Sequence, residues 1–390
     1  IWKPAMHART SYLLGNWTDA SAHAVSQSDL HTLFARAPKL GSSPFTYVHV
    51  TSAAGDECPL CDETGAPRLK GSGCNYFRDM RKLCLGAHMP NGSRFFVQFG
   101  DATLRLKRHP LGVPVVVKVR LLPQRHGALL PLTYNRHFRN IWPTNATYVP
   151  WKQKSDKAIV WRGAPTDFNR YSHGGEERQR SRIGFVKALA ARGHDVRFVK
   201  DAQYNLRRQQ IDPSGALAAT PMDRATLMRH KYVLSLEGND VASGLKWLLA
   251  HNSVVVMPTP TRESWLMEGL LQPWVHYVPL DDPTEVQDRI AWMREHDDEC
   301  AKIVANANAW MEQFRPVPGA ADELTANEHV AAVLGFAAHG WSAAATQLDE
   351  TPVQERAVCN GGRRKAAPHA PPAAHARQRA AIAHKRQAAL

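Results

Sequence analysis

Between Ala158 and Leu280 short apolar runs alternate with amphipathic stretches, and this regularity constrains the fold more than any other feature of the chain. Ala158–Trp161, Asp195–Val199, Tyr232–Leu236, Ser253–Met257 and Val275–Leu280 have the length and β-branched content of strands. Between them, Glu176–Arg192 (closed by Gly193), Met222–His230, Ala242–His251 and Arg262–Leu271 have helical spacing, and Pro283–Phe314 continues as a long helix. Strands of four to seven residues separated by helices specify βαβ units and a parallel sheet. Before this region the pattern is sparser: a helix near Asp29–Arg36 and the strand-like runs Phe95–Phe99 and Val113–Val119. A polar stretch, Pro143–Asp156, separates the two halves.

The expected organisation is an N-terminal domain over 1–148, a Rossmann-like domain over 149–318, a helical segment over 319–348 and a basic low-complexity tail over 349–390. The chain has 390 residues and a formal charge of +14. Thr351–Leu390 holds eight Lys/Arg and one Asp/Glu, so half of that charge sits in a segment rich in Ala, Pro, His and Arg. With so few large apolar residues, the tail is expected to be disordered. Without it, the case for a basic nucleic-acid-binding protein weakens, because no zinc-finger or RNA-recognition pattern accompanies the charge. A hydrophobic content of 44% excludes wholesale disorder, and no apolar run approaches the length of a membrane span.

Four of the six cysteines lie close together, Cys58, Cys61, Cys74 and Cys84. Disulfides, unpaired thiols and a zinc site are all compatible with the spacing, although the second pair is too far apart for a tight knuckle. Three Asn-x-Ser/Thr sequons begin at Asn16, Asn91 and Asn145.

Chemistry concentrates at two strand ends. After Ala158–Trp161 come Arg162, Gly163 and Thr166; arginine offers a donor fork to phosphate oxygens, and glycine admits a ligand to the backbone. After Tyr232–Leu236 comes the turn Gly238-Asn239-Asp240, then Ser243 and Lys246 at the start of a helix, where free N–H groups and the dipole favour an anion. Neither segment is a Walker A or a G-x-G-x-x-G fingerprint. Open parallel sheets bind ligands beyond the carboxyl ends of their strands, so both junctions point to a diphosphate site. No Asp-x-Asp pair occurs, so no metal is expected in the site.

Glu237–Lys246, Pro258–Glu268 and above all Pro273-Trp274-Val275-His276-Tyr277-Val278-Pro279 resemble glycosyltransferase family 90, and the resemblance covers about residues 95–315. It implies an α/β fold of GT-B type: two Rossmann-like domains with a cleft between them. It further implies an inverting, metal-independent transfer of a sugar from UDP-sugar to a hydroxyl of a glycan or protein acceptor. Arg162, Gly163, Thr166, Ser243 and Lys246 are carried over to the diphosphate, Glu263 to the ribose or sugar, and Asp101 to the catalytic base. Gly244 stands where animal members have an arginine, so one phosphate contact is expected to be either missing or supplied by Arg182. The expected compartment is the ER or Golgi lumen, or the cytoplasm for a bacterial-type relative, with any membrane attachment supplied by residues beyond this chain. A catalytically inactive sugar-nucleotide or glycan binder is the alternative; the presence of Asp101 argues for the enzyme.

Overall fold

The structure is a computed structural model that describes residues 12–14, 45–49, 94–98, 115–123, 127–129 and 141–315. Asp101, the four clustered cysteines, Asn16, Asn91, the Asp29–Arg36 helix and the basic tail lie outside the described residues. Asn145 is exposed in a turn, and Cys300 is a buried free thiol.

The N-terminal half contributes a four-stranded sheet from β1 (Phe45–His49), β2 (Arg94–Gln98), β3 (Val115–Val117) and β5 (Ala128–Leu129), in that order. The first pair is antiparallel and the others are parallel. Between β3 and β5 lies β4 (Arg120–Leu121).

The second half is built on a parallel sheet. Its strands are β6 (Val160–Gly163), β7 (Asp195–Val199), β8 (Ala218–Ala219), β9 (Tyr232–Leu234), β10 (Val254–Met257) and β12 (Val278–Pro279), in the order β12-β10-β9-β6-β7-β8. The chain starts at β6, runs outward through β7 and β8, then returns to the other side of β6 with β9. That reversal opens a switch point between the carboxyl ends of β6 and β9.

Both faces of the sheet are buried, as parallel sheets require. Ile159, Trp161, Phe198, Tyr232, Leu234, Val254 and Val256 pack on one face, whereas Val160, Val233, Val255 and Met257 pack on the other. The second face is shared with Leu13, Val116, Val117 and Leu129, so the N-terminal segments and the parallel sheet have a common core. A two-stranded antiparallel pairing of β4 with β11 (Arg262–Glu263) adds another join.

The helices depart from the sequence pattern at polar residues. The stretch expected as one helix over Glu176–Arg192 is two, Gly175–Arg180 and Arg182–Ala191, which follow a further helix at Phe168–His173. Ser181 is extended (φ −71°, ψ 157°) and caps the later helix by accepting the Gly184 N–H at 3.1 Å. Ala202–Ile211, unassigned from sequence, is a helix capped by Asp201, whose side chain accepts the Tyr204 N–H at 2.8 Å. Met222–His230 contracts to Arg224–Leu227 behind the Asp223 cap, and Ala242–His251 contracts to Leu245–Ala250. Arg262–Leu271 is not an α-helix: it opens as β11, and Met267 takes a left-handed conformation (φ 56°) before a 3₁₀ turn at Glu268–Leu270. The long C-terminal helix divides at His296 into Val286–Glu295 and Asp297–Glu312. Among the described residues no helix is long and apolar enough to cross a membrane.

Candidate active site

Arg182, the first residue of its helix, organises the switch point. Its Nη1 donates to the Thr166 hydroxyl at 2.6 Å and to the Ala164 carbonyl at 3.2 Å, both in the loop after β6. Its Nε and Nη2 donate to the carbonyls of Glu237 at 3.0 Å and Leu236 at 2.7 Å, in the loop after β9. One guanidinium therefore stitches together the two loops that border the opening, while lying 5.7 Å from the centre of the Trp161 ring. Its rigid, forked donors suit this task in a way a lysine ammonium could not.

The contact needs glycine at 238. A Cβ there would stand 2.4 Å from Thr166 Oγ1 and 2.8 Å from Arg182 Nη2. Asn239 closes the same junction by accepting the Asp167 N–H at 3.0 Å, and Asp167 in turn accepts the Arg182 N–H at 3.3 Å from a left-handed backbone (φ 66°). Burial raises the Asp167 pKa against the lowering influence of Arg170 and Arg182. Asp240 pairs with Lys118 at 2.5 Å, which brings the N-terminal half to the edge of the same turn. Thr166, Arg182, Gly238, Asn239 and Asp240 thus lie together at the junction of the two loops.

Other expected residues go elsewhere. Arg162 projects from β6 on the face opposite Trp161, because neighbouring strand residues alternate. It donates to the Asp195 carbonyl at 2.8 Å and pairs with the Asp195 carboxylate at 2.9 Å, at the beginning of β7 and not at the carboxyl ends. Gly163 has a packing role: a Cβ would lie 2.4 Å from the Trp161 ring. Ser243 is exposed, and Lys246 is buried on a helix of only six residues. Neither lines the cleft described below. Glu263, carried over to the ribose or sugar, is fully buried in β11; its Oε1 accepts Arg120 Nε at 2.7 Å and its Oε2 accepts the Tyr12 hydroxyl at 2.6 Å. Both oxygens are engaged in joining the halves.

Beyond the carboxyl ends of β9 and β10 lies an open cleft. Arg170, Arg180, Arg182 and Arg262 give its wall a cationic character, and Leu236, Val241, Leu245 and Met257 supply apolar surface. Arg262 and Glu237 were not legible as site residues. Glu237 accepts from Thr261 N at 2.8 Å, Arg262 N at 3.0 Å and Arg262 Nη1 at 2.8 Å, so it anchors the loop after β10 to the loop after β9. Among the described residues the buried Arg262 Nε has no hydrogen-bond partner. Glu237 immediately precedes Gly238, but an acidic residue in a basic cleft gives no sequence signal until its structural partner is known. A basic cleft beyond the carboxyl ends of parallel strands, with fixed guanidinium donors and an apolar wall, can hold a phosphorylated ligand that carries a larger organic group.

Comparison with known proteins gives this architecture its family. The family model described as "Glycosyl transferase family 90" matches residues 138–315, which contain the whole parallel sheet. The chain is 32% identical over 260 residues to the O-glucosyltransferase LpsA of Dichelobacter nodosus, covering 64% of this chain and 68% of that protein. It is 38% identical over 79 residues to protein O-glucosyltransferase 2 of Danio rerio, covering 19% of this chain and 15% of that protein. A shorter match, 40% over 93 residues, is to the uncharacterized protein 027R of frog virus 3 (23% of this chain and 10% of the viral protein). The resemblance carried by the Pro273–Pro279 run therefore holds across most of the chain, which belongs to glycosyltransferase family 90.

Proposed function

We propose that the chain transfers a sugar from UDP-sugar to a hydroxyl of a glycan or protein acceptor, with inversion at the anomeric carbon, in a GT-B arrangement whose donor half is the parallel sheet. The observation that carries this reading is the Arg182 junction: the loops after β6 and β9 are fixed around one guanidinium beside a cleft lined by three further arginines. Charge-assisted bonds from such groups hold a diphosphate and stabilise the negative charge that grows on it as the glycosidic bond breaks. The sequence offers no Asp-x-Asp pair to chelate a metal there, so the arginines carry this role.

In the reaction the acceptor hydroxyl attacks the anomeric carbon from the face opposite UDP. The new C–O bond forms as the bond to the diphosphate breaks, and the hydroxyl proton passes to a base. Asp101, three residues beyond the end of β2, is assigned as that base. An inactive sugar-nucleotide binder would share the cleft without this step.

The deciding experiment is incubation with a panel of UDP-sugars in the presence of excess EDTA, following UDP release with and without hydroxyl acceptors. Release for at least one sugar, reduced about 10²–10⁴-fold in a folded Asp101→Asn protein, is the expected result. Release that requires added Mn²⁺, or that is unchanged in Asp101→Asn, would remove the metal-independent or the base assignment respectively.

A further inference from the structure

Positive charge outside the C-terminal tail is concentrated in one stretch. Phe168–Arg208 holds ten Lys/Arg and four Asp/Glu, a balance of +6 that accounts for nearly all of the excess beyond the tail. Three of the four carboxylates are engaged within the protein: Asp195 with Arg162, Asp201 with the Tyr204 N–H, and Glu176 with Arg180 at 2.7 Å. The fourth, Glu177, is exposed on the helix Gly175–Arg180.

Part of this charge is gathered on two aromatic rings that do not line the cleft. The Arg178 guanidinium lies 4.8 Å from the centre of the Tyr171 ring, and its Nε donates to the Tyr171 carbonyl at 3.0 Å. Lys187 Nζ lies 5.5 Å from the same ring centre and donates to the Tyr171 hydroxyl at 3.1 Å. Phe168 stands 6.2 Å from Tyr171, and Arg207 lies 5.1 Å from the Phe168 ring while donating to the Gln203 side chain. Four helices thus bring three cations to one place, and among the described residues none of the three has a carboxylate within ion-pair distance. Their neutral partners fix the side chains without matching the charge. In the same helix as Arg207, Leu206 is 76% exposed and is followed directly by Arg207 and Arg208.

An exposed leucine among unmatched cations suits a surface with anionic groups outside and hydrocarbon beneath; a soluble polyanion offers the leucine nothing. We propose that this face docks on an anionic lipid surface, with Leu206 entering the headgroup layer and Arg178, Lys187 and Arg207 meeting lipid phosphates. Arg170 and Arg180, on the same helices as Tyr171 and Arg178, line the cleft, so a docked molecule carries its cleft beside the membrane.

The test is co-sedimentation of the full chain with vesicles of phosphatidylcholine alone or mixed with phosphatidylglycerol, at physiological ionic strength. The wild type is expected on the anionic vesicles and not on the neutral ones. The triple variant Arg178→Gln, Lys187→Gln, Arg207→Gln should partition about 100-fold less, since each basic group at an anionic leaflet contributes about fivefold. A control, Lys152→Gln, Lys157→Gln, Lys302→Gln, removes the same charge from exposed positions elsewhere. It should change partitioning by less than about threefold. The basic tail is common to all these proteins, so its contribution cancels in the ratios. Absence of wild-type binding, or equal losses in the two triple variants, overturns the proposal. Leu206→Ser is expected to lower vesicle binding by about threefold to tenfold and to leave heparin binding unchanged. If it has no effect on vesicles while the patch variant loses heparin, the partner is a soluble polyanion and the lipid assignment falls. Should the triple variant fail to fold, the single substitutions are read instead: about a fivefold loss for each is expected, and no loss in any overturns the proposal.

Discussion

Arg120 and Arg182 each tie together segments distant in sequence, and they do so under different conditions. Arg120 is fully buried: its Nε meets Glu263, and its Nη atoms donate to the carbonyls of Leu13 at 3.2 Å, Gly127 at 3.1 Å and Tyr12 at 2.7 Å. Arg182 is half-buried beside an open cleft, and its donors hold the carbonyls and hydroxyl of two loops. The first is a structural join with its charge matched inside the protein. The second places a cation where an incoming anion can share it. Burial and the nature of the partner, not residue type, separate a scaffold arginine from a site arginine.

The largest effect should come from breaking the scaffold join. Arg120→Ala leaves the Glu263 carboxylate buried without its cation, and loss of one partner of a buried pair costs about 3–5 kcal/mol. Urea unfolding should show that loss, and replacing Glu263 by Leu in the same chain should recover part of it. A loss below about 1 kcal/mol for Arg120→Ala would erase the distinction between the two arginines.

Glu268, whose pKa is pushed up by burial, sharpens the comparison from the acidic side. A carboxyl whose folded pKa is raised holds its proton longer in the folded state than in the unfolded one. Stability therefore falls as pH rises from the ordinary value of 4.5 to about 7 and is flat beyond it. The gap corresponds to about 3 kcal/mol, which Glu268→Gln should abolish. Melting temperatures of the two proteins should thus diverge between about pH 4.5 and 7, with the wild type losing more. Parallel curves would mean that the carboxylate is already compensated, as Glu263 is.

Much of this was legible in the sequence because a parallel sheet buried on both faces leaves a strong signature. All six of its strands but the two-residue β8 coincide with expected apolar runs, since Val, Ile and Leu are required on both sides. Helix limits were less legible because single polar residues decide them: Ser181, Asp201 and Asp223 redirect the backbone through one hydrogen bond each. The junction residues Thr166, Gly238 and Asn239 were found by their position after strands. Arg162 was assigned to the ligand from an equally good position and Glu263 from the resemblance, and only the alternation of β6 and the partners of β11 reveal where their side chains go. Pairings over a hundred residues apart, such as Lys118 with Asp240, leave no local trace.

Removing the site arginine should cost less stability than removing the scaffold arginine, and more affinity. Arg182→Ala is expected to weaken UDP binding by about 1.5–3 kcal/mol, the range for hydrogen bonds to charged groups, as measured by calorimetry. Unchanged affinity in a folded variant would show that Arg182 only shapes the loops.

The smallest stability effect separates those two roles further. Ser181 is buried; its Oγ accepts the Gly184 N–H and donates to the Arg178 carbonyl at 2.6 Å. This cap stops one helix and begins the next, so it sets the position of Arg182 at the first helical residue. Losing an N-cap costs about 1 kcal/mol, and Ser181→Ala should show no more than that in urea. If the guanidinium must be held in place to share a diphosphate, the affinity for UDP falls as well, because the helix start that carries Arg182 is loosened. Ser181→Thr retains an acceptor oxygen and should restore both quantities. A stability loss without any change in UDP affinity would mean that the bonds from Arg182 to Thr166, Ala164, Leu236 and Glu237 position it unaided, and that the cap belongs to the scaffold alone.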